Sequence, residues 1–591
     1  MQWACGCFPA ADVLNCTRLR PGTSLHRICF QYLGRLKTQQ EKRELSMESL
    51  EHQLIRVELE QRQQEGCDTA DIRSRIEAVL EDGAEDSVFR TLYDELVALD
   101  PVKDFPYSEP SLLDDIRALR PEGPRRLSLT LGEEALSERI HGAWLGRAVG
   151  CSLGKPVEGW PKHRIDNYLG SVEALPLTNY IPYREGTISP GLKTSTRDNI
   201  EFMARDDDMD FPILGLLALE QKGATFSPRH MADVWLSYMP FHLLYTAENV
   251  AYRNLVNRRW PPESATWRNP FREWIGAQIR ADIFGYVTPG WPEKGAELAF
   301  RDASISHVKN GIYGEMFVAA TLSAAFVTAD IDQIIEIGLS EIPAQCRLAE
   351  AIRDTLAWCN ESDDWEAVWS RNDDKYGHYH GVHTINNAAF VAMGLKFGAD
   401  DYEQGIVVTV RSGSDTDCTG ATVGSILGAK FGASALPTKW TDVLSDRLMS
   451  SVRDNNDNRI SALAERTLQV AIKMLNVPDV VEEETVTEPF PKGMSEGLPG
   501  IWNFQLGFGR HELRVRPDLT GEIEMIEFNE VKKISNVKID GNRVCFSFGV
   551  DKGGYEVDIA FDGTIDGDRL IGQCSSGGFE FSATGKRTSG S

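Results

Sequence analysis

Apolar residues return at the 3.6-residue spacing of a helix through most of this chain, and near residue 476 the spacing changes abruptly to two. One regular structure cannot satisfy both periods, so the chain divides into a helical part and a later β part. In the helical part, EEALSERIHGAWLGRAVG sets Leu136, Ile140, Ala143, Trp144 and Ala148 on one face, and Gly154 and Pro156 of the following CSLGKPVEGW end that helix. Further helices are expected at about 210–222, 312–328, 343–358, 383–397, 418–432 and 456–475, rich in Ala, Leu and Gly, with no alternating strands between them. The expected fold is mainly α, an orthogonal all-α helical bundle over residues 131–476.

Flanking regions follow from the same reading. Residues 47–130 read as an accessory helical extension: in DTADIRSRIEAVLEDG, Asp68 or Thr69 can cap, and Ile72, Ile76, Val79 and Leu80 make the buried stripe. Residues 477–500 are acidic and Pro/Gly-containing, as a solvated linker is. Residues 501–591 alternate with period two, and Asp540-Gly541, Asp562-Gly563 and Asp566-Gly567 are hairpin signals, so a small antiparallel β-sandwich or barrel is expected. Residues 1–46 are expected to be disordered or a targeting segment. Arg18, Arg20, Arg27 and Arg35 stand there among few acids, and Met47 is an alternative start.

Lys and Arg total 62 against 88 Asp and Glu, a formal charge of −26, which argues against nucleic acid or an anionic membrane as partner. No apolar run approaches the ~20 residues that span a bilayer. The 11 cysteines are odd in number and scattered, the usage of reduced thiols, so the cytoplasm is the expected compartment, with organelle targeting as the alternative.

Chemistry is concentrated in two acidic clusters. RDDDMD carries Asp206, Asp207, Asp208 and Asp210 just before an apolar helical pattern, and SGSDTDCTGAT carries Asp415 and Asp417 before a Gly/Ala-rich one. Clustered carboxylates repel unless protonated or neutralised by a cation, so two helix N-termini sharing divalent metal is the expected arrangement. Gly420, Ala421, Gly424, Ser425, Gly428 and Ala429 would let the second helix approach its neighbours closely. A single acidic run is more often a solvated loop, and the second cluster is what shifts the balance. His307 and His383 by themselves read as satisfied core or loop histidines.

At these residues the chain resembles the ADP-ribosylglycohydrolase family, which includes dinitrogenase-reductase-activating glycohydrolases and some eye-lens crystallins. The matching segments are GAWLGRAVGCSLGKPVEG, ARDDDMDFPILGL, SISHVKNGIYGEMFVAA, HTINNAAFVAMGLKFG and SGSDTDCTGATVGSILGAKFG, in that order over about half the chain. The resemblance implies an all-helical fold with two Mg2+ ions, Mn2+ or Ca2+ being alternatives, and hydrolysis at the distal ribose of an ADP-ribose-containing substrate such as an ADP-ribosylated protein. It implies metal ligation by Asp206, Asp207, Asp208, Asp415, Asp417 and Cys418, with Asp206 and Cys418 standing where the family usually has Thr. A thiol is a poor partner for a hard cation, and Thr419, a carbonyl or water could replace Cys418. Glu158, with Asp207 and Asp417, is implied in catalysis, Glu158 orienting or deprotonating the attacking water. Ser306, His307, Asn310, Gly311 and Gly314 match the segment that holds diphosphate and ribose, and Lys155 is either a further phosphate contact or a solvated lysine.

Two other function classes compete. Asp206-Asp207-x-x-Asp210 satisfies the DDxxD pattern of isoprenoid-type synthases, but SGSDTDCTGAT is not their partner motif. A non-catalytic ADP-ribose binder or crystallin-like protein would be expected to lose the metal carboxylates, and both acidic motifs remain. A metal-dependent hydrolase is the leading expectation, with arginine-linked, serine-linked and small-molecule conjugates undistinguished.

Overall fold

A computed structural model describes residues 50–82, 85–476, 498–506, 509–516, 518–525, 530–551, 556–577 and 579–587. The expectations for residues 1–46 and for most of the 477–500 linker lie outside the described residues. The chain divides into two units, Met1–Val477 and Pro478–Ser591, each described by itself.

The first unit opens with helices α1 (Leu50–Gln64), α2 (Ala70–Asp82) and α3 (Asp86–Val97), which share a small core of Leu54, Ile55, Ile76, Phe89 and Leu96. Asp68 accepts the Ala70 N–H at 3.1 Å and so starts α2. Ile72 and Ile76 are buried, while Val79 and Leu80 are only partly so. This layer meets the rest of the unit through charge: Arg272 is buried and pairs with Glu58 at 2.7 Å and Glu65 at 3.0 Å.

Seven helices then matter for the site: α4 (Glu133–Gly154), α5 (Asp207–Lys222), α6 (Asn310–Ala325), α7 (Arg347–Glu361), α8 (Thr384–Phe397), α9 (Thr416–Phe431) and α10 (Ile460–Leu475). Every residue of α6 is buried, so its apolar surface is the whole circumference, as in a central helix of a large core. The closest pairing is α4 against α9. Gly142, Gly146 and Gly150 face Gly428, Gly424 and Gly420, and Gly154 faces Thr416, so that a Cβ at any of these α4 glycines would overlap a carbonyl of α9. Only glycine permits backbones to approach so far. The order of the pairs makes the helices antiparallel and puts the C-terminus of α4 against the N-terminus of α9.

The helical region is not free of strands. β1 (Arg447–Met449) and β2 (Asp457–Arg459) form a short antiparallel ribbon, tied by an Arg447–Asp457 ion pair at 2.7 Å. Three residues per strand, mostly charged or polar, leave no alternation to detect.

The second unit is one antiparallel sheet of nine strands: β3 (Gly500–Leu506), β4 (Gly509–Val515), β5 (Gly521–Met525), β6 (Glu530–Lys533), β7 (Ser535–Asp540), β8 (Arg543–Asp551), β9 (Glu556–Asp566), β10 (Arg569–Ser576) and β11 (Phe579–Arg587). The pairing order 6-5-4-3-11-10-9-8-7 is a meander whose ends are consecutive in the chain, which makes it a nearly closed barrel-like sheet. Trp502, Phe504, Leu513, Phe546, Phe561 and Leu570 line one core. Asp540-Gly541 and Asp566-Gly567 fall at turns, with Gly541 and Gly567 at φ 59 and 56°. Asp562-Gly563 does not turn; both residues lie inside β9, where Gly563 pairs with Gly572 and the Phe561 ring covers the gap.

Candidate functional site

The glycine ladder delivers one part of the site. Past Gly154 the chain makes a 3-10 turn, Lys155–Val157, and Glu158 follows. The Gly159 N–H donates to the Ser414 carbonyl at 2.9 Å, and Ser414 N–H returns to Trp160 at 3.1 Å, so the Glu158 turn is stitched to the turn that precedes Asp415. Gly413 and Ser414 adopt φ 83 and 67° to make this crossing. The Thr416 hydroxyl closes it from the other side by donating to the Gly154 carbonyl at 2.8 Å.

The first acidic cluster arrives on α5. Asp206 is the N-cap, its carboxylate accepting the Asp208 N–H at 3.0 Å. Pro212 lies within the helix and removes the donor that would reach the Asp208 carbonyl. The buried Arg147 guanidinium takes that carbonyl instead, at 2.7 and 3.1 Å, and reaches the Asp208 carboxylate at 3.4 Å and Asp282 at 2.8 Å.

Three groups of side chains among the described residues hold their ligand atoms within 4.8 Å of one another: Cys151, Asp206 and Asp208; Asp208, Asp417 and Cys418; Glu158, Asp415 and Asp417. The groups share Asp208 and Asp417, so they form one continuous acidic centre. Asp417 Oδ1 is buried without a hydrogen-bond partner, which is the expected state of a carboxylate oxygen whose partner is a cation. The donors fit a divalent ion.

Electrostatics separate the members. Burial, then Asp415, Asp206 and Asp207, push Glu158 up to about 8. Burial and Asp206 push Asp207 up to about 7. Burial carries Asp208 and Asp417 well above the carboxylate range, and Asp415 is raised by burial too. Burial would also raise Asp206, but the Lys155 ammonium overrides it and holds this acid below its usual value. Burial keeps the Cys151 and Cys418 thiols protonated, and Cys418 Sγ lies 3.2 Å from Asp208 Oδ2.

Residues 132–475 match the sequence model of the ADP-ribosylglycohydrolase family. This chain belongs to the ADP-ribosylglycohydrolase family. The match leaves α1–α3 and the barrel-like sheet outside the family region. An uncharacterised protein of Archaeoglobus fulgidus is 26% identical over 321 residues, covering 53% of this chain and 93% of that one. A solved ADP-ribosylglycohydrolase-related protein complex aligns at 20% identity and a TM-score of 0.38, over 58% of this chain and 99% of the other.

Within this glycohydrolase-family chain, the site residues named from sequence divide into three. Glu158, Asp206, Asp208, Asp415, Asp417 and Cys418 come together in the acidic centre. Asp207 belongs to none of its three groups; its side chain is partly exposed at the edge, 4.0 Å from Arg205. Ser306, His307, Asn310, Gly311 and Gly314 are all buried at the start of α6. There Asn310 donates to Glu273 at 2.7 Å and accepts the Leu348 N–H at 3.0 Å, His307 Nδ1 meets Ser306 Oγ at 2.8 Å, and the two glycines are close-packed against Arg272 and Thr384. Asp210 turns away from the centre to Arg205, at 2.7 Å, and the Ser451 N–H, at 2.8 Å, so the DDxxD spacing does not present its acids together. The Thr419 hydroxyl donates to the Asp415 carbonyl at 2.8 Å.

Lys155 is not a phosphate contact: it is buried, donating to the Arg205 carbonyl at 2.5 Å and ion-paired with Asp206. Sequence reasoning also passed over Arg147, Cys151 and Asn387, whose Oδ1 accepts the Asp415 N–H at 3.2 Å. The Pro212-to-Asp208 spacing of four was the available signal for a donor such as Arg147.

Proposed function

We propose that this protein is a glycoside hydrolase that releases ADP-ribose by cleaving the bond at the distal ribose of an ADP-ribose conjugate. The observation that carries this reading is the grouping of Glu158 with Asp415 and Asp417, a carboxyl beside a pair of buried acids. Family membership supports the same reaction class.

Asp415 and Asp417, in the acidic centre that Asp206 and Asp208 complete, would hold a divalent cation, and such an ion, when bound, would stabilise charge developing on oxygen. Glu158 holds and moves the proton of the attacking water; a carboxyl shifted towards neutrality is matched to that work. Asp207, partly exposed, orients a ribose hydroxyl at the mouth. The buried residues Ser306, His307, Asn310, Gly311 and Gly314 fix the start of α6, on which the diphosphate end of the substrate rests, by packing behind it.

The test is incubation of the purified chain with arginine-linked, serine-linked and small-molecule ADP-ribose conjugates, with Mg2+ or with EDTA, followed by chromatography for ADP-ribose. Mg2+-dependent release from at least one conjugate is expected. No release from any conjugate at any Mg2+ concentration overturns the reading.

A further inference from the structure

The acids of the centre are not equally in need of a counter-ion. Asp206 is ion-paired with Lys155, Asp208 has Arg147 at 3.4 Å, and Asp210 has Arg205 at 2.7 Å. Lys155 and Arg147 are buried and Arg205 is partly so, and each is held by further protein groups: Lys155 by the Arg205 carbonyl, Arg147 by the Ile279 carbonyl and Asp282, Arg205 by the Leu243 carbonyl. Asp415 and Asp417, in contrast, make no ion pair with a basic side chain among the described residues, although Asp417 is 4% exposed and its Oδ1 has no hydrogen-bond partner. Burying an uncompensated carboxylate costs several kcal/mol, so this end of the centre is where an added cation gains most.

We propose that the Lys155 ammonium takes the place of one metal ion, so that the centre binds a single divalent cation, held by Asp415 and Asp417 beside Glu158, and not the pair implied by the resemblance. A Lys at this place changes the charge count directly: an ammonium already seated on Asp206 repels a divalent ion brought to the same carboxylate. The nearby sulfur donors point the same way: Cys151 groups with Asp206 and Asp208, and Cys418 with Asp208 and Asp417, while the Glu158, Asp415 and Asp417 group is all oxygen, the donor set a hard cation takes. This inference rests on the metal part of the proposed function and not on the substrate.

Titration of the full chain with Mn2+, counting unbound ion by electron paramagnetic resonance, tests it without any turnover. One Mn2+ per chain is expected, none in Asp415→Asn/Asp417→Asn, and two in Lys155→Met, where the Asp206 carboxylate has lost its ammonium. Two ions in the unaltered chain, or one still in Lys155→Met, overturns the proposal. Should Lys155→Met fail to fold, Asp206→Asn is read in its place: a retained count of one with a Kd raised about tenfold supports the proposal, since the ammonium is then uncompensated, and loss of the ion overturns it. A chain that binds one Mn2+ but releases no ADP-ribose leaves this inference standing and fails the hydrolase reading. A chain that binds none fails the inference.

Discussion

Gly150 of α4 and Gly420 of α9 face each other so closely that the space each lacks in side chain is filled by the other's carbonyl. With Gly146 against Gly424 and Gly142 against Gly428, the contact fixes both the separation and the register of the two helices. Register is what matters for the site. It sets Gly154, and with it Lys155 and Glu158, beside Thr416, and so beside Asp415 and Asp417. A slip of one turn, roughly 5.4 Å, would take Glu158 out of reach of both acids.

Substituting Gly150 or Gly420 by Val therefore disturbs fold and site together. Overpacking of this kind costs about 1–3 kcal/mol or more, and here the clash is with backbone that cannot rotate away. Thermal unfolding should shift down strongly in either variant, while Gly132→Ala, whose Cβ meets nothing within 4 Å, should leave the midpoint unchanged. Equal effects at Gly132 and Gly150 would contradict the ladder.

Asp417→Asn separates function from folding. Burial and the neighbouring Glu158 and Asp415 carboxylates make the Asp417 charge unfavourable without a cation, so the metal-depleted variant should melt at or above the unaltered chain. Addition of Mg2+ should raise the midpoint of the unaltered chain and not that of the variant. A variant that melts lower in EDTA would assign Asp417 a structural role.

Glu158→Gln keeps shape and removes the proton-holding group. The rate of ADP-ribose release should fall by roughly 10²–10⁴ with substrate affinity little changed. Equal losses in affinity and rate would make Glu158 a positioning residue.

Glu273 is buried and central: it accepts from Asn310 at 2.7 Å, from Arg347 at 2.8 Å, and from Gln61 of α1 at 2.6 Å. Glu273→Ala leaves Glu109, at 2.7 Å, as the one ion-pair partner of the buried Arg347 among the described residues, and should cost about 3–5 kcal/mol. Urea denaturation measures it, and a loss below about 1 kcal/mol would show that the network relaxes around the gap.

His383 caps α8 through Nδ1, which accepts the Ile385 N–H at 3.3 Å, and burial pushes its imidazole down from 6.5 to about 3. The unfolded chain takes up this proton near 6.5 and the folded chain does not, so stability is intact above that pH and falls as pH drops below it. In His383→Asn, which retains a capping side chain, the drop in urea midpoint between pH 7.5 and 5.5 should shrink. An unchanged drop would place the acid sensitivity elsewhere.

The helices were legible because their apolar spacing is local: the expected 383–397 and 418–432 became Thr384–Phe397 and Thr416–Phe431. Both acidic runs were also legible, as was their place at helix starts. What the chain did not disclose is non-local. Gln61 and Glu273 are 212 positions apart, and neither looks unusual in its own segment. Lys155 reads as a solvated or phosphate-binding cation until Asp206 is seen beside it. In β9, Asp562-Gly563 has the composition of a turn, yet Gly563 is glycine because the Phe561 ring and Gly572 leave no room for a side chain.

An anomalous difference map from a Mn2+-soaked crystal locates the cation, because it shows whether the two acids at the start of α9 hold it beside Glu158. One strong peak is expected at coordination distance, about 2.0–2.6 Å, from carboxylate oxygens of Asp415 and Asp417, in the group they form with Glu158. A map with no peak there, or with its only peak at Asp206 and Lys155, would contradict it.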